Sequence, residues 1–286
     1  MKIGIDSYCF HRYFGEVYPG QQPVEKQMTM EDFLKLAKDL DVDGVSLESC
    51  FFPSFDDGYL KELKAQLDEY GFDRVFAWGH PDGLERGQNA DAFEELKMLI
   101  PKAKVMGADV MRVVGSSLMF RLEPHAPQIK ALIAQFKEAV KIAEDNGVKL
   151  ADENHIDYTA DEMLQILEGV DSPNFGINFD TGNFLRLLDD PIRGMEILKD
   201  HVLAVHLKDL QVNPKMARPT DWFFFSGVPV GEGLIDNDSL AKILNTADFE
   251  GFLAVEIDHP HYDWTGREIE CVEKSVAGLK KIVTSL

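Results

Sequence analysis

Apolar runs closed by polar residues recur along this chain, separated by stretches with helical periodicity. Val202-Leu203-Ala204-Val205 has no polar alternation, which predicts a strand buried on both faces as in a parallel sheet, and it runs into His206-Leu207-Lys208-Asp209. The same grammar predicts strands at 2–8, 44–49, 74–80, 110–117, 148–155, 175–183, 202–209 and 252–258, each followed by a helical pattern. Thr29 to Asp41 places Phe33, Leu36, Ala37 and Leu40 on one face, and Ala126 to Gly147 repeats apolar residues at helical spacing before a glycine stop. Thr159 with Glu162 predicts a capping box, and Asp190-Pro191 a cap followed by proline at the first helical position. Eight strand-helix units predict an α/β protein, a single (β/α)₈ TIM barrel over residues 1–286, rather than an open doubly wound sheet. Two connections are long, about 11–28 after the first strand and about 210–236 after the seventh. Both belong at the C-terminal mouth, and the aromatic Trp222-Phe223-Phe224-Phe225 in the second suggests a lid or a subunit contact.

Composition narrows the partners. Fifty acidic against 29 basic residues give a formal charge of −21, which opposes nucleic acid and anionic membrane. Three cysteines, Cys9, Cys50 and Cys271, have no metal-site spacing and read as free thiols in a reducing compartment. No stretch approaches a membrane span and Met1-Lys2-Ile3-Gly4-Ile5-Asp6 enters a strand at once, so the expectation is a soluble cytoplasmic protein.

Barrel enzymes carry their reacting groups at the C-terminal ends of strands, where Glu153, Asp180, His206 and Glu256 fall on four successive late strands. Three carboxylates and an imidazole converging in a water-poor mouth repel one another unless a cation sits between them, so these four residues are the expected ligands of a divalent metal. Mixed oxygen and nitrogen donors suit Mn²⁺, with Co²⁺, Mg²⁺, Zn²⁺ or Fe²⁺ as alternatives. His155, two residues after Glu153, projects to the same side of an extended strand and is either a general base or a hydrogen-bonded neighbour of the ligands. Lys208 shares a face with His206, as an oxyanion stabiliser or as the partner of a carboxylate. His11, Arg12, Glu48 and His80 end the first three strands, as pocket lining or helix caps. Arg112, inside a strand, needs an acidic partner such as Glu153 or Glu48. Trp78 and Trp222 are sugar-stacking candidates, with core packing the default.

Glu153-Asn154-His155, Asp180-Thr181-Gly182-Asn183, His206-Leu207-Lys208-Asp209, Gly231-Glu232-Gly233-Leu234-Ile235-Asp236 and the Glu256 strand together resemble the sugar phosphate isomerase/epimerase family of xylose isomerase-like barrels, relatives of the family-2 AP endonucleases. The resemblance spans essentially the whole chain. It implies that Glu153, Asp180, His206 and Glu256 bind a divalent metal, usually Mn²⁺, and that Glu153 and Glu256 also move protons. Asn183 stands where epimerases of the family tend to have a histidine, and Arg218 is too far along to match their substrate arginine; DNA repair lacks its additional histidines. The first expectation is therefore a metal-dependent isomerase/epimerase-like enzyme that abstracts a proton α to a carbonyl of a keto sugar or its derivative. A second is a lyase that cleaves 3-oxo-glycosides by β-elimination, since the same motifs resemble the catalytic subunit of C-glycoside deglycosidases, which works with a small β subunit and would use His155 as base. A third is a non-catalytic sugar-binding or scaffold subunit. A small-molecule sugar substrate is implied, without phosphate because no basic or glycine-rich phosphate cradle is visible, along with assembly as a homo-oligomer or with the β subunit.

Overall fold

The structure is a computed structural model that describes residues 1–19, 21–80, 82–215, 221 and 223–286. Eight parallel strands close into a barrel in the order β1 (Lys2–Asp6), β10 (Phe252–Val255), β7 (Val202–Leu207), β6 (Phe175–Asp180), β5 (Lys149–Glu153), β4 (Val110–Val113), β3 (Asp73–Ala77) and β2 (Gly44–Glu48). Around them lie α1 (Met30–Asp39), α2 (Asp57–Tyr70), α3 (Ala90–Met106), α4 (His125–Asn146), α5 (Ala160–Val170), α6 (Thr181–Leu187), α7 (Pro191–Leu198), α8 (Asn237–Leu244) and α9 (Glu268–Thr284).

Three helix boundaries are as read from the sequence: Thr159 forms a full capping box, Asp190 caps α7 ahead of Pro191, and α4 stops at Gly147 in the left-handed region. Thr29 forms a second capping box, with Asp32, that the sequence reading did not single out. Every barrel strand, in contrast, ends one to four residues earlier than the apolar pattern predicts. The ladder stops within one residue of the last inward side chain, and polar residues beyond it belong to other elements: Ser7 and Ser49 lie in 3-10 turns, and Thr181 and Asn183 lie in α6. Among the described residues of 210–236, β8 (Leu210–Val212) and β9 (Phe225–Gly227) pair antiparallel, where the sequence predicts only a connection.

Alternate side chains of a barrel strand face the axis. The main core lies between strands and helices, while the interior is layered differently. At the C-terminal end the inward layer is Asp6, Glu48, Ala77, Arg112, Glu153, Asp180, His206 and Glu256, charged or ionisable at every strand but β3. Two residues back along each strand it is Gly4, Ser46, Val75, Val110, Ala151, Asn178, Ala204 and Ala254, where bulky branched side chains usually fill such barrels. At the N-terminal end the Phe252 ring lies on the backbones of Gly4 and Gly44, so close that a Cβ on Gly44 would stand 2.6 Å from it.

Candidate metal centre

Glu153, Asp180, His206 and Glu256, all but fully buried, each offer one donor atom, and these atoms lie within 4.8 Å of one another. Metal bonds of about 2.1 Å put opposite donors on one ion about 4.2 Å apart, so the cluster has the dimensions of a single site. Asp180 Oδ2, Glu256 Oε2 and His206 Nδ1 make no hydrogen bond of acceptable geometry. They crowd nonetheless: His206 Nδ1 is 2.7 Å from Glu256 Oε2, 3.6 Å from Glu153 Oε1 and 3.9 Å from Asp180 Oδ2. Buried donors converging without hydrogen-bond geometry fit a divalent ion.

The surrounding chain aims each donor. Asp180 Oδ1 caps α6, accepting the Gly182 and Asn183 N–H groups at 2.8 Å, which leaves Oδ2 for the cluster. Asn154 ties the tops of β5 and β6 together, accepting from Asp180 N and donating to its carbonyl oxygen. Glu153 receives the Asn183 amide at Oε1, 3.1 Å, and faces Arg112 Nε at 3.2 Å from Oε2. Arg112 also pairs with Glu48, so both partners proposed for it are found. Thr181 Oγ1 bridges the backbone of Lys208, and Asp209 accepts N–H groups from Gly231, Gly233 and Ile235. A side chain on Gly233 would collide with that carboxylate, and Gly231 sits in open space at φ +92°, which favours glycine.

Charge is arranged in two halves. Burial pulls the His206 imidazole down, but Glu256 and Glu153 outweigh it and hold it well above its ordinary range. Burial also raises Glu153, and Arg112 and His206 outweigh it, leaving the carboxylate firmly ionised. Lys208 Nζ lies 2.9 Å from Asp180 Oδ2, 3.4 Å from Glu256 Oε2 and 3.0 Å from Asp258 Oδ2. Arg186 grips the same Asp258 with two nitrogens. Burial lowers the pKa of His155, so its imidazole is neutral, and its Nδ1 has no partner.

A pocket of about 330 Å³ lies over this layer, within the range of small-molecule sites. Glu153, Glu256, Lys208, His155, Glu48 and His80 all line it. His155 thus lies in one pocket with Glu153 and Glu256, although not on a strand: β5 stops at Glu153, and a turn with Ile156 at φ +62° presents the imidazole. The loops after β1 and β7 meet over the mouth, with Tyr18 5.4 Å from Phe223 and Phe223 stacked on His259 at 3.8 Å.

Other candidates lie elsewhere. Neither His11 nor Arg12 is in the pocket lining: His11 closes the 3-10 turn Ser7–Phe10 through its N–H to the Tyr8 carbonyl while its ring bonds the Glu16 carbonyl, and Arg12 pairs with Glu268. Trp78 is core, its indole donating to Glu95. Trp222 and Arg218 fall outside the described residues. The sequence reading passed over three participants. Asp6 stands 3.3 Å from His206 Nε2, and Asp258 and Arg186 brace Lys208. Asp6 was legible, since Ile3-Gly4-Ile5-Asp6 repeats the strand-then-carboxylate grammar of the later strands.

This barrel, with its carboxylate and imidazole cluster at the C-terminal mouth, belongs to the xylose isomerase-like TIM barrel family, whose profile matches residues 34–282. Among curated relatives it is similar to 3-oxo-isoapionate decarboxylase of Pectobacterium atrosepticum, 27% identical over 163 residues, 56% of each chain. It is also similar to inosose dehydratase of Clostridium beijerinckii, 27% identical over 128 residues, 41% of this chain and 43% of that one. The chain thus spans about half the length of the curated relatives it matches. Among solved structures the fold is shared with an L-ribulose 3-epimerase, TM-score 0.73 at 15% identity, covering 99% of this chain and 95% of that one. It is shared equally with the IOLI protein with a bound zinc atom, TM-score 0.73 at 17% identity, covering 100% and 99%.

Proposed function

We propose that this chain is a metal-dependent isomerase/epimerase-like enzyme that removes a proton α to a carbonyl of an unphosphorylated keto sugar or sugar derivative. The observation that carries the reading is the convergence of donor atoms on Asp180, His206 and Glu256, none of them in hydrogen-bond geometry, completed by Glu153, beneath a sugar-sized pocket. Mn²⁺ is the proposed ion, and when bound it supplies Lewis-acid polarisation of a carbonyl oxygen.

The chain's own residues divide the remaining work. His155, neutral and lining the pocket with an open Nδ1, accepts the proton. Glu256 is the second proton carrier, because Glu153 is locked by Arg112 and Asn183. Lys208 places positive charge beside the donors, where negative charge develops on the substrate oxygen. Among the described residues the two cations of the pocket lining, Arg112 and Lys208, are both paired with carboxylates, which leaves none for a phosphate.

A specific observation favours a second reading. With Glu153 locked, His155 is the better-placed base, and a single base suffices for β-elimination from a 3-oxo-glycoside; the decarboxylase and dehydratase names of the two curated relatives also describe reactions that expel a group. Proton NMR in D₂O of Mn²⁺-loaded protein with keto sugars and 3-oxo-glycosides, alongside His155→Ala, separates the two. Deuterium entering without loss of a substituent supports isomerisation or epimerisation, and aglycone release, alone or with an added β subunit, supports the lyase. No exchange from metal-loaded protein overturns both in favour of a sugar-binding subunit.

A further inference from the structure

Behind the metal donors the barrel is hollow. Ala151, Ala204 and Ala254 are too small to fill the axis, and a cavity of about 640 Å³ opens at the N-terminal face and reaches up to His206. Its wall is not purely apolar. Ser46 and Asn178, 1% and 0% exposed, face into it, and Ser46 Oγ, Asn178 Oδ1 and Asn178 Nδ2 have no hydrogen-bond partner. At its upper end stands His206, whose Nε2 lies 3.3 Å from Asp6 Oδ2, both atoms likewise without hydrogen-bond geometry. Buried polar groups left unpaired are costly, so native proteins pair them with protein or with ordered water. An apolar cavity stays dry, whereas one with several polar partners and room for more than one molecule holds water.

We infer that the barrel interior is a site for a chain of ordered waters, running from the N-terminal face past Ser46 and Asn178 to Asp6 and His206. His206 is the partition between two compartments. Its Nδ1 faces the donor cluster under the substrate pocket, and its Nε2 faces the water chain behind. The waters and Asp6 together fix the imidazole so that the Nδ1 lone pair points at the cluster, as hydrogen bonds on the far nitrogen do for metal-binding histidines. This support of His206 rests on the metal reading; the waters do not.

A high-resolution crystal structure of the Mn²⁺-loaded full chain tests the inference. Waters bonded to Asn178 and Ser46 are expected, and a dry cavity, or both side chains satisfied by protein groups, overturns it. Asn178→Leu keeps the volume and removes the polar atoms. It should empty the neighbouring water positions and weaken Mn²⁺ binding, read by chelator competition, about tenfold; unchanged affinity overturns the support of His206. Should that variant fail to fold, Ser46→Ala is read by the same two measurements. Wild-type protein that binds no divalent ion sinks the metal reading, while the crystallographic waters still decide the inference.

Discussion

Arg112 is the residue on which the charge balance of the inner layer turns. Its guanidinium lies between Glu48 and Glu153, both almost wholly buried, and its N–H groups also reach the Trp78 carbonyl. Arg112→Leu removes the ionic partner of buried Glu48 and leaves Glu153 only Asn183 and His206, and urea denaturation should read a loss of about 3–5 kcal/mol. Asp157 titrates in a more useful range. Burial pushes its carboxyl up to about 7, against the N–H groups of Tyr158 and His155 that it accepts. The native state therefore holds a proton there that the unfolded chain, at an ordinary carboxyl pKa, releases earlier. Stability contributed by this group falls as pH rises from about 4 to about 7. Asp157→Asn should remove that slope from denaturation midpoints measured across the window, and an unchanged slope would assign it to another group.

The segment from β5 to α5 carries both scaffold and chemistry. Thr159 caps α5 by accepting from Glu162 N, and Glu162 also bonds His125 of α4, so the cap joins two helices. Thr159→Ala should cost about 1 kcal/mol in thermal or urea unfolding without altering metal affinity. Caps of this kind were legible because a capping box is local chemistry between residues three apart. The end of β5 was less legible: a run of apolar residues says that a strand is buried, not where its ladder stops, and the turn at Ile156 has a positive φ that a β-branched residue rarely adopts. β8 and β9 were hidden for another reason, since short antiparallel strands inside a long insertion pair through tertiary contact rather than alternation.

At the scale of the whole molecule the barrel and the convergence of Glu153, Asp180, His206 and Glu256 were readable together, because the parallel closed sheet and the cluster share one periodicity. What no strand pattern could give was the braces that come from elsewhere. Arg186 reaches Asp258 across 72 positions, and Asp6 meets His206 only where the barrel closes through β1 and β10. No helix among the described residues is long and apolar enough to cross a membrane. A ligand that binds only the folded barrel stabilises it by mass action, about 2.7 kcal/mol at a hundredfold excess over its Kd. Differential scanning fluorimetry should therefore show Mn²⁺ raising the melting temperature by several degrees, with Glu256→Gln abolishing most of the rise.

The contact between His206 Nδ1 and Glu256 Oε2 has a practical consequence for handling the protein. With no divalent ion, a proton on His206 supplies the positive charge that the carboxylates require, so loading is a cation exchange in which a proton leaves as the metal enters. Acid should strip the site and mild alkali favour its filling. Calorimetric titrations in two buffers of different ionisation enthalpy should give different apparent heats, and the difference counts the protons set free. Samples with different purification histories would then behave as different salts of the same protein.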